Sequence, residues 1–343
     1  MFRKSYLILF FLAAHLIVNH AAAQSDQEVS YDRKYKIFAV VWRGETAVEA
    51  GFQEYLNQRG IPYEMTIRNL NLDRANAPGI IEEIKQVKPD LVYTWGTGTT
   101  LSIFGKVNES DADGQVTDIP GIFVLVAYPV SAGIVESFQF PGRNVTGVAF
   151  LASIEAQINA MLAYRPFKKM AVIYDETQSN SRINVSQLKE VVPQLGIELL
   201  VFPIPKKSDG LPDPDSLPGL VAKAKEDGAE ILYMGPDSFI FRHGVAYTDA
   251  ALKAGLPTFA STQAPLRTTR AMFGLVSDYH TLGKLAAVQA ERILVNGDNA
   301  SKLSVARLSR FQYWINIDVA SELGLYPPMN VISIAEFKRS NAQ

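Results

Sequence analysis

Polar and aromatic side chains collect in the loops that follow the predicted strands of this sequence. The candidate ligand-binding residues are Trp42, Arg43, Gly96, Thr97, Gly98, Thr99, Tyr128, Asn180, Ser181, Asp237, Ser238, Thr262, Gln263 and Asp278. Neutral donors at the amino termini of helices, where N–H groups are free and the helix dipole is positive, favour a carboxylate. These residue types indicate a site for a small polar ligand, especially one that carries a carboxylate.

The charged candidates each allow a second interpretation. The guanidinium of Arg43 can hold a carboxylate through two parallel hydrogen bonds, but a solvated loop arginine explains it equally well. Asp237 and Asp278 can bind an ammonium group, yet each also precedes a predicted helix that it can cap. Capping and ligand binding can coexist, so both interpretations stay open.

Aromatic residues near the same loops divide by their position. Trp42 and Tyr128 lie in loops, and we expect them to form walls of the ligand pocket. Tyr93 and Trp95 lie in or at the end of a predicted strand, which favours packing in the core.

The segment Gly96-Thr97-Gly98 has three possible roles. It can cradle a phosphate, although a GxG without a third glycine, a lysine or an acidic partner is a weak nucleotide signal. It can form a tight turn that brings a helix amino terminus close to a carboxylate, or it can be a structural turn only. We favour the carboxylate-binding turn.

Residue patterns typical of catalysis are missing from the sequence. His243 and His280 fall inside predicted helices without a spaced partner, so neither forms a metal-binding set or a triad. There is no cysteine and no Gly-x-Ser-x-Gly motif, and the carboxylates are scattered. We therefore predict no catalytic residue, no metal site and no cofactor, and a binding protein rather than an enzyme.

Alternating strand and helix patterns must position these loops. Short apolar runs such as 122–126 are typical of strands buried on both faces of a parallel sheet. The runs 122–126 and 145–148 are too close for a helical crossover, so we expect the chain to leave one sheet for another at 144–148. The predicted fold is α/β, with two Rossmann-like lobes, each a parallel sheet flanked by helices, joined by a hinge.

Bulk composition narrows the class further. The 343 residues suffice for two such lobes, and a hydrophobic content of 48% is ordinary for a globular protein. A formal charge of -2 and the lack of a basic stripe argue against a nucleic-acid partner.

The amino terminus resembles a targeting segment. Arg3 and Lys4 precede the apolar run 7–18, and 21–23 is a run of alanines before Gln24. This order predicts a signal peptide, residues 1–23, cleaved after Ala23, with a linker at 24–33. An uncleaved anchor is the alternative, but the apolar run is shorter than the roughly 18 residues that a span needs. The lack of cysteine excludes lipidation of a cysteine at the new terminus. We expect a periplasmic protein.

Several ordered motifs resemble one known family. They are Asp90-Leu91-Val92 leading to Gly96-Thr97, Pro129-Val130-Ser131-Ala132-Gly133, Pro141-Gly142-Arg143-Asn144-Val145-Thr146-Gly147-Val148, Leu256-Pro257-Thr258-Phe259-Ala260-Ser261 and Asp278-Tyr279. The chain is similar, over roughly 36–327, to periplasmic substrate-binding proteins of ABC transporters, a family that includes tryptophan- and tyrosine-binding members. The resemblance implies a type I periplasmic-binding-protein fold that closes on its ligand. It implies a first lobe of 34–147 plus about 277–300, and a second lobe of 148–276 plus about 301–340.

Three positions depart from the pattern of this family. Tyr128 stands where an acid often precedes Pro129, Thr262 stands where an acid often follows Ser261, and Gly98 replaces a frequent proline. Two expected carboxylates are missing and a phenol is gained. An amino acid and a less cationic aromatic carboxylate therefore both stay open as ligands.

Two further functions remain as alternatives to a solute receptor that delivers its ligand to an inner-membrane ABC permease. The same fold can dock on a membrane sensor kinase or chemoreceptor, or it can be an exported two-lobed enzyme. The expected partners are a small-molecule ligand and a membrane protein, and the protein itself is expected to be a monomer.

Overall fold

The computed structural model describes residue 31 and residues 33–107 and 114–339. The predicted signal peptide and its cleavage site lie outside the described residues. Within the described ranges, no helix has both the length and the apolar content needed to cross a membrane.

Thirteen strands are present in the described ranges. In chain order they are β1 (Tyr35–Val41), β2 (Tyr63–Asn69), β3 (Leu91–Trp95), β4 (Gly121–Val126), β5 (Val145–Ala149), β6 (Lys169–Tyr174), β7 (Glu198–Pro203), β8 (Ile231–Met234), β9 (Thr258–Ala260), β10 (Phe273–Val276), β11 (Ala306–Arg307), β12 (Gln312–Asn316) and β13 (Ala335–Lys338).

Twelve α-helices in the same ranges connect and cover these strands. They are α1 (Ala47–Gln58), α2 (Ala77–Val87), α3 (Thr97–Phe104), α4 (Ile154–Tyr164), α5 (Ser179–Val191), α6 (Leu217–Glu226), α7 (Ser238–Arg242), α8 (Gly244–Lys253), α9 (Gln263–Thr268), α10 (Tyr279–Leu294), α11 (Ile317–Glu322) and α12 (Met329–Ile332).

The strands form two separate sheets. The first has the order β11-β5-β4-β3-β1-β2, and the second has the order β13-β12-β10-β9-β8-β6-β7. Neighbouring strands are parallel except for β10 and β12. The predicted α/β fold of two mostly parallel sheets with flanking helices is confirmed.

Local sequence explains why these elements form. Every residue of β3 and β4 is buried, as expected for central strands that are covered by helices on both faces. In β6, Met170 and Val172 join one apolar cluster while Ala171 and Ile173 join another, so alternate side chains build a core on each face. Helix α1 begins with a capping box, in which the Thr46 N–H donates to Glu49 Oε2 at 2.7 Å.

Helix α10 follows the second sheet but packs on α1 of the first lobe. Two glycines allow the close approach. A Cβ on Gly283 would lie 1.9 Å from the carbonyl oxygen of Val48, and one on Gly51 would lie 2.1 Å from the carbonyl oxygen of His280. The chain thus returns to the first lobe after β10.

The chain passes between the sheets at 150–153, 277–278 and 308–311. The first two passages touch, because the Ser277 hydroxyl donates to the carbonyl oxygen of Phe150. The sequence placed the first passage at 144–148, but β5 continues to Ala149 in the first sheet, beside β4. The assignment of 301–340 to the second lobe is also wrong in part, since β11 pairs with β5.

The carboxyl-terminal segment is more ordered than its polar sequence indicates. Helix α12 leads into β13, which pairs in parallel with β12 at the edge of the second sheet. Val331 is buried in the core of that lobe, which fixes the segment in place.

Candidate ligand-binding site

A cavity of about 610 Å³ lies between the two lobes. The loops after β1, β3 and β4 line it from the first lobe, and the loops after β6, β8 and β9 line it from the second. Ligands of open α/β sheets bind beyond the carboxyl ends of the strands. Small-molecule cavities measure roughly 300–1,000 Å³, so both position and size suit a small ligand.

Ten of the fourteen candidate residues line this cavity. They are Trp42, Arg43, Gly96, Thr97, Gly98, Thr99, Asn180, Asp237, Ser238 and Thr262. Their contact with a ligand stays a prediction. The other four, Tyr128, Ser181, Gln263 and Asp278, lie behind the cavity or beside it, which corrects their expected position.

Three of these four hold elements that border the cavity. The Ser181 hydroxyl donates to Asp237 at 2.7 Å. Asp278 caps α10 by accepting the Thr281 N–H at 2.8 Å, and its second oxygen accepts from Gln263 at 3.4 Å. The hydrogen bonds of these side chains are made within the protein. The oxygens of Asp278 that a ligand would need are therefore already occupied.

Tyr128 joins the two lobes. Its hydroxyl accepts a hydrogen bond from Asn184 Nδ2, on α5 of the second lobe, at 2.7 Å. Asn184 also donates to the Tyr233 hydroxyl at 3.2 Å, which in turn donates to Gln157 at 2.8 Å. Burial raises the pKa of Tyr128 well above its usual value, so the phenol is neutral. The residue expected to touch the ligand is therefore an interlobe contact.

Aromatic side chains form much of the cavity wall. They are Trp42, Trp95, Phe150, Phe239, Phe241 and Tyr279. The expectation that Tyr93 packs in the core agrees with its complete burial and its 2.5 Å hydrogen bond to Glu49. Trp95 is 7% exposed and both packs in the core and lines the cavity.

Arg43 lies between aromatic rings of the two lobes. Its Cζ is 4.9 Å from the Trp95 ring centroid and 3.7 Å from that of Phe241, on α7. Burial lowers its pKa, and the nearby Tyr279 partly opposes this shift. Within residues 33–107 and 114–339, Arg43 has no hydrogen bond or ion pair. Its guanidinium is therefore stabilised by cation–π contacts with the two rings.

The amino terminus of α3 opens onto the cavity. The helix begins at Thr97, directly after Gly96, whose φ of +87° is the left-handed conformation that glycine adopts without strain. No side chain caps this end, and the first N–H groups of a helix have no partner within it. Thr99 Oγ1 and Trp95 Nε1 are also buried without a partner among the described residues. The free N–H groups of this helix end are donors that a ligand oxygen can satisfy.

Arg74 reaches the same place from the short helix after β2. A Cβ on Gly98 would lie 2.7 Å from Arg74 Nη2 and 3.0 Å from its Nε, so the missing side chain makes room for the guanidinium. Arg74 is an exposed residue whose partial burial lowers its pKa, helped by the charge of Arg182 and opposed by that of Asp175. Arg74 was not among the predicted site residues, although its place just beyond the carboxyl end of β2 was a usable signal.

Two buried aspartates on the second-lobe side support the loops. Asp237 caps α7 by accepting the N–H groups of Phe239 and Ile240 at 2.8 and 3.0 Å. It also accepts the N–H of Asp175 at 2.8 Å. Burial raises the pKa of Asp237, and the hydrogen bond from Ser181 partly opposes this. Of the two proposed roles of Asp237, the structure shows the cap.

The loop between β7 and α6 covers one side of the cavity. Five of its residues line it: Lys207, Asp209, Leu211, Pro212 and Pro214. A β-bridge between Lys206 and Pro212 and an ion pair from Lys206 to Glu176 at 2.8 Å shape the loop. The sequence does not indicate this lining role, because no local pattern tells which way a proline-rich loop folds.

Four further residues that sequence reasoning missed come from two places. Phe150 lies in the first passage between the sheets, and Phe239, Phe241 and Arg242 lie on α7. Their apolar character indicated a packed helix rather than a pocket. Their position directly after Asp237 was the available signal.

A cavity enclosed by two α/β lobes that three chain passages connect defines a two-lobed ligand-binding protein. Its solved structural neighbours include a conserved domain protein from Vibrio cholerae, with a TM-score of 0.76, 21% identity and coverage of 89% of this chain and 99% of that one. Another is an ABC domain in complex with L-Trp from Streptococcus pneumonia, with a TM-score of 0.75, 19% identity and the same coverage.

Sequence comparison then gives the family. A tyrosine-binding protein of Clostridioides difficile (strain R20291) is 25% identical over 280 residues, which are 80% of this chain and 76% of the relative. Residues 39–338 match the family described as ABC transporter substrate binding protein. The chain belongs to this family, which confirms the resemblance seen in the sequence motifs.

Proposed function

We propose that this protein is the periplasmic solute receptor of an ABC importer and that it binds a small organic carboxylate with an aromatic part. The observation that carries this proposal is the interlobe cavity in which Arg43 and Arg74 have no anionic partner among the described residues. A desolvated guanidinium gains most from a carboxylate, because the charge-assisted pair replaces the hydration that both groups lose.

The aromatic part of the ligand is supported by the cavity wall and by the relatives. Six aromatic residues line the cavity, and ring pairs gain about 0.5–1.5 kcal/mol beyond simple burial. The tyrosine-binding relative and the L-Trp complex bind molecules with rings, as their names state.

Closure of the lobes would couple binding to transport. Arg43 and α3 belong to the first lobe, and Asn180 and Phe241 to the second, so a ligand in the cavity contacts both. A ligand that bridges the lobes stabilises the closed form over the open one. The closed form then docks on the inner-membrane permease. No covalent step is required of any residue in this mechanism.

Export rests on the first 23 residues. The positive start, the apolar run and the alanines before Gln24 are the order that secretory signals have. Expression of the full chain in a Gram-negative host should give a periplasmic protein whose intact mass is that of a chain starting at Gln24. A protein that stays in the membrane fraction with its full mass would contradict export as a cleaved, soluble receptor.

Thermal unfolding of the purified protein tests the ligand class. Aromatic amino acids, arylalkyl carboxylates, aliphatic carboxylates, sugars and purines are each added at millimolar concentration. We expect aromatic carboxylates, with or without an amino group, to raise the melting temperature, because a ligand of the native state stabilises it. Arg43→Ala should remove the shift. Arg339→Ala, which removes an exposed arginine outside the cavity, is the matched control and should retain it.

The proposal fails if sugars or purines alone raise the melting temperature, or if no class does. Small-angle scattering with and without the best ligand then tests closure. The radius of gyration should fall on binding if the lobes close, and an unchanged radius would contradict closure.

A further inference from the structure

The buried carboxylates of the cavity are already saturated with hydrogen bonds. Asp237 is 6% exposed and accepts five, from three backbone N–H groups and the side chains of Ser181 and Gln178. Asp175 is 3% exposed and accepts three, two from Thr177 and one from Gln178. A carboxylate offers about four lone-pair sites. These two groups therefore have little capacity left for a ligand ammonium.

The other two carboxylates of the cavity lie at its rim. Asp73 accepts the N–H of Ala75 at 2.9 Å, and Asp209 accepts the N–H of Leu211 at 2.9 Å, so each closes a turn. Both aspartates are exposed. Each of these two carboxylates is solvated and already accepts a hydrogen bond within its own turn, so it is a weak partner for an ammonium group.

Two arginines of the cavity, by contrast, have no acid partner among the described residues. Within the described ranges, Arg43 and Arg74 make no ion pair and no hydrogen bond, and both line the cavity. The uncapped amino terminus of α3 lies beside Arg74, which rests against Gly98.

We propose that the cleft selects an aryl or arylalkyl carboxylate without an α-ammonium group, and that Arg74, beside the first turn of α3, binds its carboxylate. The inference rests on the proposed function and sharpens it, because it separates two ligand classes that share a ring and a carboxylate. The carboxylate gains a guanidinium and free N–H groups. An α-ammonium would be desolvated beside Arg43 and Arg74 with no free interior acid.

Matched ligand pairs test this selection. Calorimetric titrations compare tryptophan with indole-3-propionate, tyrosine with 3-(4-hydroxyphenyl)propionate, and phenylalanine with 3-phenylpropionate. Each pair differs only in the amino group. We expect the desamino member of at least one pair to bind at least about tenfold more tightly, because it does not bring an ammonium group next to the two arginines. Tenfold corresponds to about 1.4 kcal/mol, the size of one contact to a charged group.

Variants locate the carboxylate. Arg74→Ala should weaken the desamino ligand about tenfold or more and reduce its preference over the amino acid, whereas Arg339→Ala should change neither affinity. Retained preference in Arg74→Ala would overturn the assignment of Arg74.

Two outcomes separate this inference from the proposed function. Equal or tighter binding of the amino acid in every pair would overturn the inference and leave the aromatic-carboxylate receptor standing. Binding of neither member of any pair would overturn both.

Discussion

Replacing Gly98 with alanine should displace the side chain of Arg74 without removing its charge. Gly98 lies in the first turn of α3, and its φ is outside the left-handed region, so alanine fits the backbone. Its Cβ would lie 2.7 Å from Arg74 Nη2, 3.0 Å from Nε and 3.1 Å from Cζ. An ordinary contact begins at about 3.4 Å. The flexible end of the arginine must therefore move away from the helix.

Gly98→Ala should lower the affinity for a carboxylate ligand without lowering the free energy of unfolding. Alanine is better than glycine within a helix by about 0.5–1 kcal/mol, so the free energy of unfolding should stay the same or rise. A hydrogen bond to a charged group contributes about 1.5–3 kcal/mol. Displacement of Arg74 should thus weaken a carboxylate ligand by roughly one to two orders of magnitude.

Calorimetric titration and denaturant unfolding of the same preparation measure both quantities. Gly79→Ala, in the first turns of α2 with nothing within 4 Å of the new Cβ, is the control for helix propensity. It should raise stability and leave affinity unchanged. Unchanged affinity in Gly98→Ala would refute the placement of the ligand carboxylate beside Arg74. A loss of stability would refute the claim that only a flexible side chain stands in the way.

Three other substitutions test the interlobe contact, the helix crossing and the pH dependence. Tyr128→Phe removes the hydrogen bond from Asn184 and should weaken every ligand alike, by about fivefold for roughly 1 kcal/mol, as measured by titration. Gly283→Ala would place a Cβ 1.9 Å from a carbonyl oxygen of α1 and should lower the free energy of unfolding by about 1–3 kcal/mol or more in denaturant melts. The hydrogen bond and charge of Arg33 hold the pKa of Asp90 below its usual value. Asp90→Asn should therefore lose stability relative to the parent above about pH 4, with the difference vanishing as the pH falls through the lowered pKa.

Each of these has an outcome that would contradict it. A change in ligand preference in Tyr128→Phe would return Tyr128 to the ligand site. Gly283→Ala with the stability gain of the Gly79→Ala control would contradict the close helix crossing. A stability difference in Asp90→Asn that grows toward pH 3 would contradict the sign of the pKa shift.

The elements of the fold could largely be read from local patterns. The predicted runs 122–126 and 145–148 fall within β4 (Gly121–Val126) and β5 (Val145–Ala149), because short apolar runs bounded by turns are strong local signals. The passage at 150–153 and the strand Ala306–Arg307 could not, because a strand joins a sheet through hydrogen bonds to partners that the local sequence does not name.

For the cavity, the sequence by itself determined that strand-end loops form its wall, since parallel strands bring their carboxyl ends to one edge. That rule led to Arg43 and to the turn at Gly96. Only the tertiary structure decided which side chains in those loops are free. Asp237 and Asp278 are used as helix caps, Tyr128 faces the other lobe, and Arg74 enters from a short helix past Gly98. The physical reason is that a side chain binds a ligand only when its hydrogen bonds are not already made within the protein, and those partners come from residues far apart in the chain.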